Sequence, residues 1–303
     1  MFVRCLPVFS SILMLVSSAS VVSAQDQLAW KFTSGESLNY IVKQNMEMTM
    51  DVASKKQSIA MKQSIAMKQT MDMRWKIAEV DARTGDADMS QTIDRVQMTS
   101  QGGPFGSVEF DSAGDEIPET PLGKSMAEVF RKIIGQEFGV HMKTTGKIDE
   151  VTVPQSLIDA LKKAGAAGNA LDEATLKQMM TQSAITLPEQ KLNPGHAWES
   201  VQQVELPFGT MMVKSQLTYQ GIDSKSGYAK IAMIPVISVT PKQGASVNLT
   251  LTKSEGVGLV LFDGVKGRIA KSDLELTMQM QVKSFGQVID QTIQQTTSMT
   301  LAN

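Results

Sequence analysis

Residues 38–77 read LNYIVKQNMEMTMDVASKKQSIAMKQSIAMKQTMDMRWKI. Up to Val52 the apolar side chains fall on even positions: Leu38, Tyr40, Val42, Met46, Met48 and Met50. Asn39, Lys43, Asn45, Glu47, Thr49 and Asp51 stand between them. After a polar turn at 53–56 the odd positions take over, with Ile59, Met61, Ile65, Met67, Met71, Met73, Trp75 and Ile77. Successive strand residues point to opposite faces, so this alternation gives each run one dry face and one wet face. The two runs predict a hairpin of long strands. Fifteen residues span roughly 50 Å at about 3.3 Å each, and strands of that length twist and coil.

Repeats occur at two scales. The hexapeptide QSIAMK at 57–62 recurs at 63–68. Six is even, so the duplication leaves every later side chain on its face. The strand is expected to project past its neighbours or to bulge. The larger repeat relates the halves of the chain. Asp81-Ala82-Arg83-Thr84-Gly85 matches Asp223-Ser224-Lys225-Ser226-Gly227, each a turn with glycine at a positive-φ position between two strands. Val108-Glu109-Phe110-Asp111 with Ile117 matches Val260-Leu261-Phe262-Asp263 with Ile269 at the same spacing. A weaker third pair, Gly35 with Leu38 and Gly195 with Trp198, comes in the same order.

Strands are expected at 37–52, 58–80, 86–99 and 106–111, with a bulge near Asp94-Arg95, where the apolar set shifts from odd (Met89, Ile93) to even (Val96, Met98). Ser125 with Glu128 reads as a capping box for a helix at 125–134. Met126, Val129, Phe130, Ile133 and Ile134 make its apolar stripe, and Gly135 ends it. A hairpin follows at 138–153. Two short helices are expected in the connection, one from Pro154 with Leu157, Ile158 and Leu161, the other from Asp172 with Leu176, Met179 and Met180. Gly165 to Asn169 would be their joint. The second half reads as strands at 198–206, 210–221, 228–240, 246–253, 257–263, 272–284 and 287–300, with Pro235 marking an edge or a bulge.

Residues 1–24 read as an export signal: Arg4, an apolar core from Val8 to Val22, and Val22-Ser23-Ala24 as the cleavage site. Cys5, the single cysteine, lies upstream of that core and not at a lipidation position. Without the segment there is no thiol for disulfide, zinc or nucleophile chemistry. The domains are then a signal peptide at 1–24, a first β-rich repeat at 25–153, a helical linker at 154–184 and a second β-rich repeat at 185–303. Removing Arg4 leaves 28 Lys and Arg against 31 Asp and Glu, which argues against nucleic acid as a partner. No later run is apolar enough to span a bilayer. The expected fold class is mainly β (α+β), with two related curled antiparallel sheets forming a duplicated half-barrel and a few short helices packed on them.

Met46-x-Met48-x-Met50, Met71-x-Met73 and Met278-x-Met280 have the spacing of soft copper(I) ligands, but one dry strand face gives the same pattern. His141 and His196 share no ligand spacing. Gly123-Lys124-Ser125 lacks the upstream glycine of a phosphate loop, since Pro118 stands there. Asp81, Asp86, Asp88, Asp111 and Asp115 lack the closing glutamate of a calcium loop, and no Gly-x-Ser-x-Gly occurs.

Asp72-Met73-Arg74-Trp75, Thr92-Ile93-Asp94-Arg95-Val96, Glu109-Phe110-Asp111-Ser112, Ile133-Ile134-Gly135 with Phe138, and Gly146-Lys147-Ile148 with Glu150-Val151 resemble an uncharacterised family of exported bacterial domains, a domain of unknown function. The resemblance implies a secreted β-rich protein and brings no catalytic motif. In shape, long curled sheets look like the half-barrel carriers of lipoproteins and lipids. The expectation is a non-enzymatic, soluble exported protein of the periplasm or exterior, without cofactor or metal. It would hold a lipid or acyl chain against Met46, Met48, Met50, Met71, Met73, Trp75 and Phe130. Two alternatives stay open: a structural or protein-interaction module with an envelope partner, and copper(I) handling.

Overall fold

The computed structural model describes residues 27–54, 57–102, 106–163, 173–181, 185–206, 209–242, 247–284 and 287–302. The signal segment at 1–24, the joint at 165–169 and the helix start at Asp172 lie outside them. The strands are β1 (Ser37–Ser54), β2 (Gln57–Val80), β3 (Ala87–Gly102), β4 (Val108–Asp111), β5 (Phe138–Met142), β6 (Ile148–Thr152), β7 (Ala197–Leu206), β8 (Gly209–Ile222), β9 (Ala229–Pro241), β10 (Val247–Asp263), β11 (Arg268–Ser284) and β12 (Gln287–Ala302). The helices are α1 (Pro121–Ile133), α2 (Gln155–Lys163) and α3 (Glu173–Thr181). The molecule is mostly β. One large open antiparallel sheet runs β6-β5-β3-β2-β1-β12-β11-β10-β9-β8-β7, with β4 beside β3.

The two expected halves are continuous, because β1 pairs β12 from Asn39↔Ala302 to Ala53↔Val288. Both strands carry the same inward alternation, so pairing them extends one dry face instead of leaving two apolar edges. Packing shows that the sheet curls. The Trp30 ring lies 6.0 Å from that of Trp75 on β2 and 5.6 Å from that of Phe262 on β10. Those strands are four steps apart in the sheet, roughly 19 Å if flat at about 4.8 Å per step. One indole reaches both only if the sheet bends around it.

Trp30 belongs to a strap that closes one end of this half-barrel, here called the base. Its backbone N–H donates to Thr144 O at 2.8 Å, and that of Lys31 to Gly267 O at 3.0 Å. The Trp30 indole N–H donates to Ile185 O at 3.3 Å. Gly146, at φ +86°, is required there: a Cβ would run into Ile185 O and the Trp30 ring. Leu38, Tyr40, Trp75, Ile77, Tyr219, Phe262 and Ile269 share the core beneath, each buried. Every large apolar side chain so buried contributes about 1.5–3 kcal/mol. Glu36 receives both arms of the Arg268 guanidinium, at 2.6 and 3.0 Å, and fastens the strap turn to β11. Burial pushes the Tyr40 phenol far above its usual range, so it stays protonated and donates to Ile269 O at 3.2 Å.

The turns at the base share one design. Asp81, Asp223 and Asp263 each accept from backbone N–H groups two or three residues on, while Gly85, Gly227 and Gly267 donate back to the aspartate carbonyl at 2.8, 2.8 and 2.7 Å. These aspartates are turn formers. The repeated hexapeptide lies in β2 and pairs β1 except at a bulge in its first copy, where the register shifts between Val52↔Met61 and Ser54↔Gln57. Its first copy extends past β3, whose pairing starts only at Ile65↔Gly102. The bulge falls where the parity shift placed it, between Asp72↔Arg95 and Met73↔Ile93.

Two boundaries differ from expectation. The strands read at 246–253 and 257–263 are a single β10, with the register shift between Leu251 and Lys253 absorbing the polar interruption. Gly256 lets Pro235 of β9 approach, and the described β9–β10 pairing stops two residues short of that proline, at Gly258↔Met233. α1 starts a turn earlier than the Ser125 box. Thr120 caps it, its Oγ1 accepting from Gly123 N at 3.1 Å, with Pro121 opening the first turn. His141 is paired: its Nδ1 lies 2.7 Å from Asp88 Oδ1, and that bond raises its pKa.

Candidate ligand-binding cavity

β4 and β5 both pair β3 along one edge, β4 from residue 97 onward and β5 up to residue 91. The bulge lies between them. α1 connects β4 to β5 and closes this gap, with Gly135 N–H donating to Ile93 O at 2.9 Å. Phe130 stacks on Phe110, with centroids 5.7 Å apart, and Ile134 packs on the same small core as Val96 and Met98. On the outside Asp111 takes the Arg95 guanidinium, with Nε at 3.0 Å, and this bond holds its carboxyl well below the usual range.

α1 does not lie flush on the sheet. Between them is a cavity of about 520 Å³. Its floor is Gln44, Gln69, Met71, Met73, Gln91 and Ile93. Its roof is Met126, Val129, Phe130 and Ile133 of α1 with Leu176 and Met180 of α3. α3 also touches both outer strands, β6 and β7, and so spans the gap between the sheet's two free edges. No Lys, Arg, Asp, Glu or His lines the cavity among the described residues.

The uncharged character continues beyond it. Inward register positions of β1 from Leu38 to Met50, β2 from Gln63 to Ile77, β11 from Ser272 to Val282 and β12 from Ile289 to Leu301 carry no charged side chain. The charges (Lys43, Glu47, Lys68, Asp72, Glu275, Asp290) take the opposite phase. Met, Ile, Leu and Val alternate inward with Gln, Ser and Thr: Met46 pairs Met67 and Gln295, while Met50 pairs Gln63 and Gln291.

The structure separates the expected site residues. Met71, Met73 and Phe130 line the cavity. Met46, Met48 and Met50 continue the same face beyond it and are half-buried. Trp75 belongs to the base core, 2% exposed against Trp30 and Tyr40. Gln44, Gln69 and Gln91 were missed, although their mark is in the sequence: each occupies the inward phase of an alternating strand with a polar side chain. Among the described residues no cluster of His, Cys, Asp or Glu is placed to hold a metal, and no helix is long and apolar enough to cross a membrane.

These features define a class, an open half-barrel of long antiparallel strands with an uncharged inner face roofed by short helices. Within it the chain belongs to DUF6263, a family of unknown function, whose model matches residues 84–284. No curated protein matches it. Among solved structures it is similar to lipovitellin, described for its lipid–protein interactions, at 11% identity and TM-score 0.43 over 90% of this chain. The chain spans about a quarter of that protein's length, 26%. An outer membrane channel from Pseudomonas putida F1 matches 90% of this chain and 97% of its own at 4% identity, with TM-score 0.26.

Proposed function

We propose that the protein is an exported, non-enzymatic carrier holding a lipid or acyl chain in the cavity under α1 and along the adjoining inner face. The observation behind this reading is an unfilled, charge-free cavity opening onto an inner face that also lacks charge. Its volume falls in the range of roughly 300–1,000 Å³ typical of small-molecule sites, which are mostly apolar with few polar groups. A self-contained structural module gains nothing from leaving such space, because close packing is worth more than a void. Methionine suits the role, since its flexible thioether adapts to varied shapes.

Native mass spectrometry of protein purified without detergent is the test. A bound mass in the lipid range, or uptake of 1-monooleoylglycerol or oleate offered afterwards, is the expected result. Protein that emerges empty and takes up neither contradicts the reading and leaves the envelope interaction module in its place.

A further inference from the structure

Gln91 is the feature that the apolar cavity does not explain. It is 1% exposed, forms part of the cavity floor, and among the described residues neither its Nε2 nor its Oε1 has a hydrogen-bond partner. Buried polar groups are nearly always satisfied, so an amide left empty at both ends marks a place where something else completes it. Trp75 on β2 pairs Gln91 in register, and among the described residues its indole N–H, in the base core beside the cavity, also has no partner. Gln44 and Gln69, cross-strand partners on the same floor, add amides at the opposite side of Met71 from Gln91.

We infer that Gln91 is the polar anchor of the site, and that the ligand is an amphiphile with an uncharged hydrogen-bonding head: a hydroxyl, ester or amide. This rests on the carrier reading and specifies its ligand. A glutamine amide offers two N–H donors and an accepting oxygen, matching a head that both donates and accepts. A fatty-acid carboxylate fits poorly, because no cation among the described residues lines the cavity and an ion stripped of water needs one. The chain lies against Met71, Met73 and the α1 stripe, and any excess length runs out along Met46 and Met48.

The test is displacement of Nile red from the full-length protein by 1-monooleoylglycerol, oleate at pH 8 and hexadecane, for wild type and Gln91→Met. Wild type is expected to take the monoglyceride at least tenfold more tightly than oleate. Gln91→Met should lose about tenfold for the monoglyceride, the worth of roughly one hydrogen bond, with hexadecane unchanged. Without ligand the variant should melt at the same temperature or higher, since it removes an unsatisfied amide. Equal or tighter oleate binding overturns the inference and leaves the carrier standing. So does an unchanged monoglyceride affinity with a lower melting temperature, the result if a buried water satisfies the amide. Failure of all three probes to displace the dye overturns the carrier reading itself.

Discussion

The base and the far half of the sheet are made by the same strands with the same alternation, yet they end in different states. Along β1, Leu38 and Tyr40 are 4% and 1% exposed, whereas Met46, Met48 and Met50 of the same phase are half-buried. The difference is the cover. At the base the strap, the 185–192 segment and the Asp-Gly turns close over the face with aromatic rings. Farther along, α1 and α3 roof only part of it and leave a cavity. Period-two patterning determines which face is dry, and long-range packing determines how much of that face the protein itself buries. A face kept free of charge without being covered is what a protein needs to bury something else.

Substitutions should treat the two regions differently. The largest effect belongs to Trp30→Ala, which removes the ring that joins β2 to β10. A loss of about 3–5 kcal/mol in chemical unfolding is expected, and a loss below 1 kcal/mol would mean that the base is not closed by the strap. Glu36→Gln should cost about 2 kcal/mol, because it leaves the mostly buried Arg268 guanidinium without its charged partner. Met48→Lys reverses the pattern. Its half-buried position predicts a stability change within about 1 kcal/mol, while the charge placed on the inner face should abolish uptake of amphiphile. Normal uptake would show that this face takes no part.

The smallest effect is a pH dependence. The Asp88 bond raises the His141 pKa, so its contribution is fully present below the unfolded value of about 6.5 and is lost as pH rises through the folded value. Stability should therefore fall slightly as pH rises above about 6.5, by less than about 1 kcal/mol for a pair this exposed. Asp88→Asn should flatten that fall, and an identical profile in the variant would remove the pair as its cause.

Much of the fold was legible because a dry face writes itself into every second residue. The parity change at Ile93 and Val96 located the bulge, and the even-length hexapeptide left the residues after it in phase, with unbroken pairing to β1 from Lys62 to Lys76. The join between halves was not legible: β1 and β12 stand at opposite ends of the chain, and neither alternation names its partner. The helix start was misplaced because Ser125 and Glu128 imitate a cap, while Thr120-Pro121, a turn earlier, is the one the backbone uses. Met71, Met73 and Phe130 were visible as apolar residues in phase. Gln91 was not, since a scan for apolar alternation passes over a polar residue in the inward phase. Its lack of a partner is visible only once β2, β3 and β5 surround it.

Peroxide oxidation followed residue by residue by mass spectrometry compares the two regions directly. Met46, Met48 and Met50 should oxidise well before Met89 and Met142, which are 3% and 0% exposed. Saturation with 1-monooleoylglycerol should slow the first group several-fold and leave the second unchanged. Equal rates in the two groups, or a first group indifferent to saturating amphiphile, would contradict the account of an inner face kept for a guest.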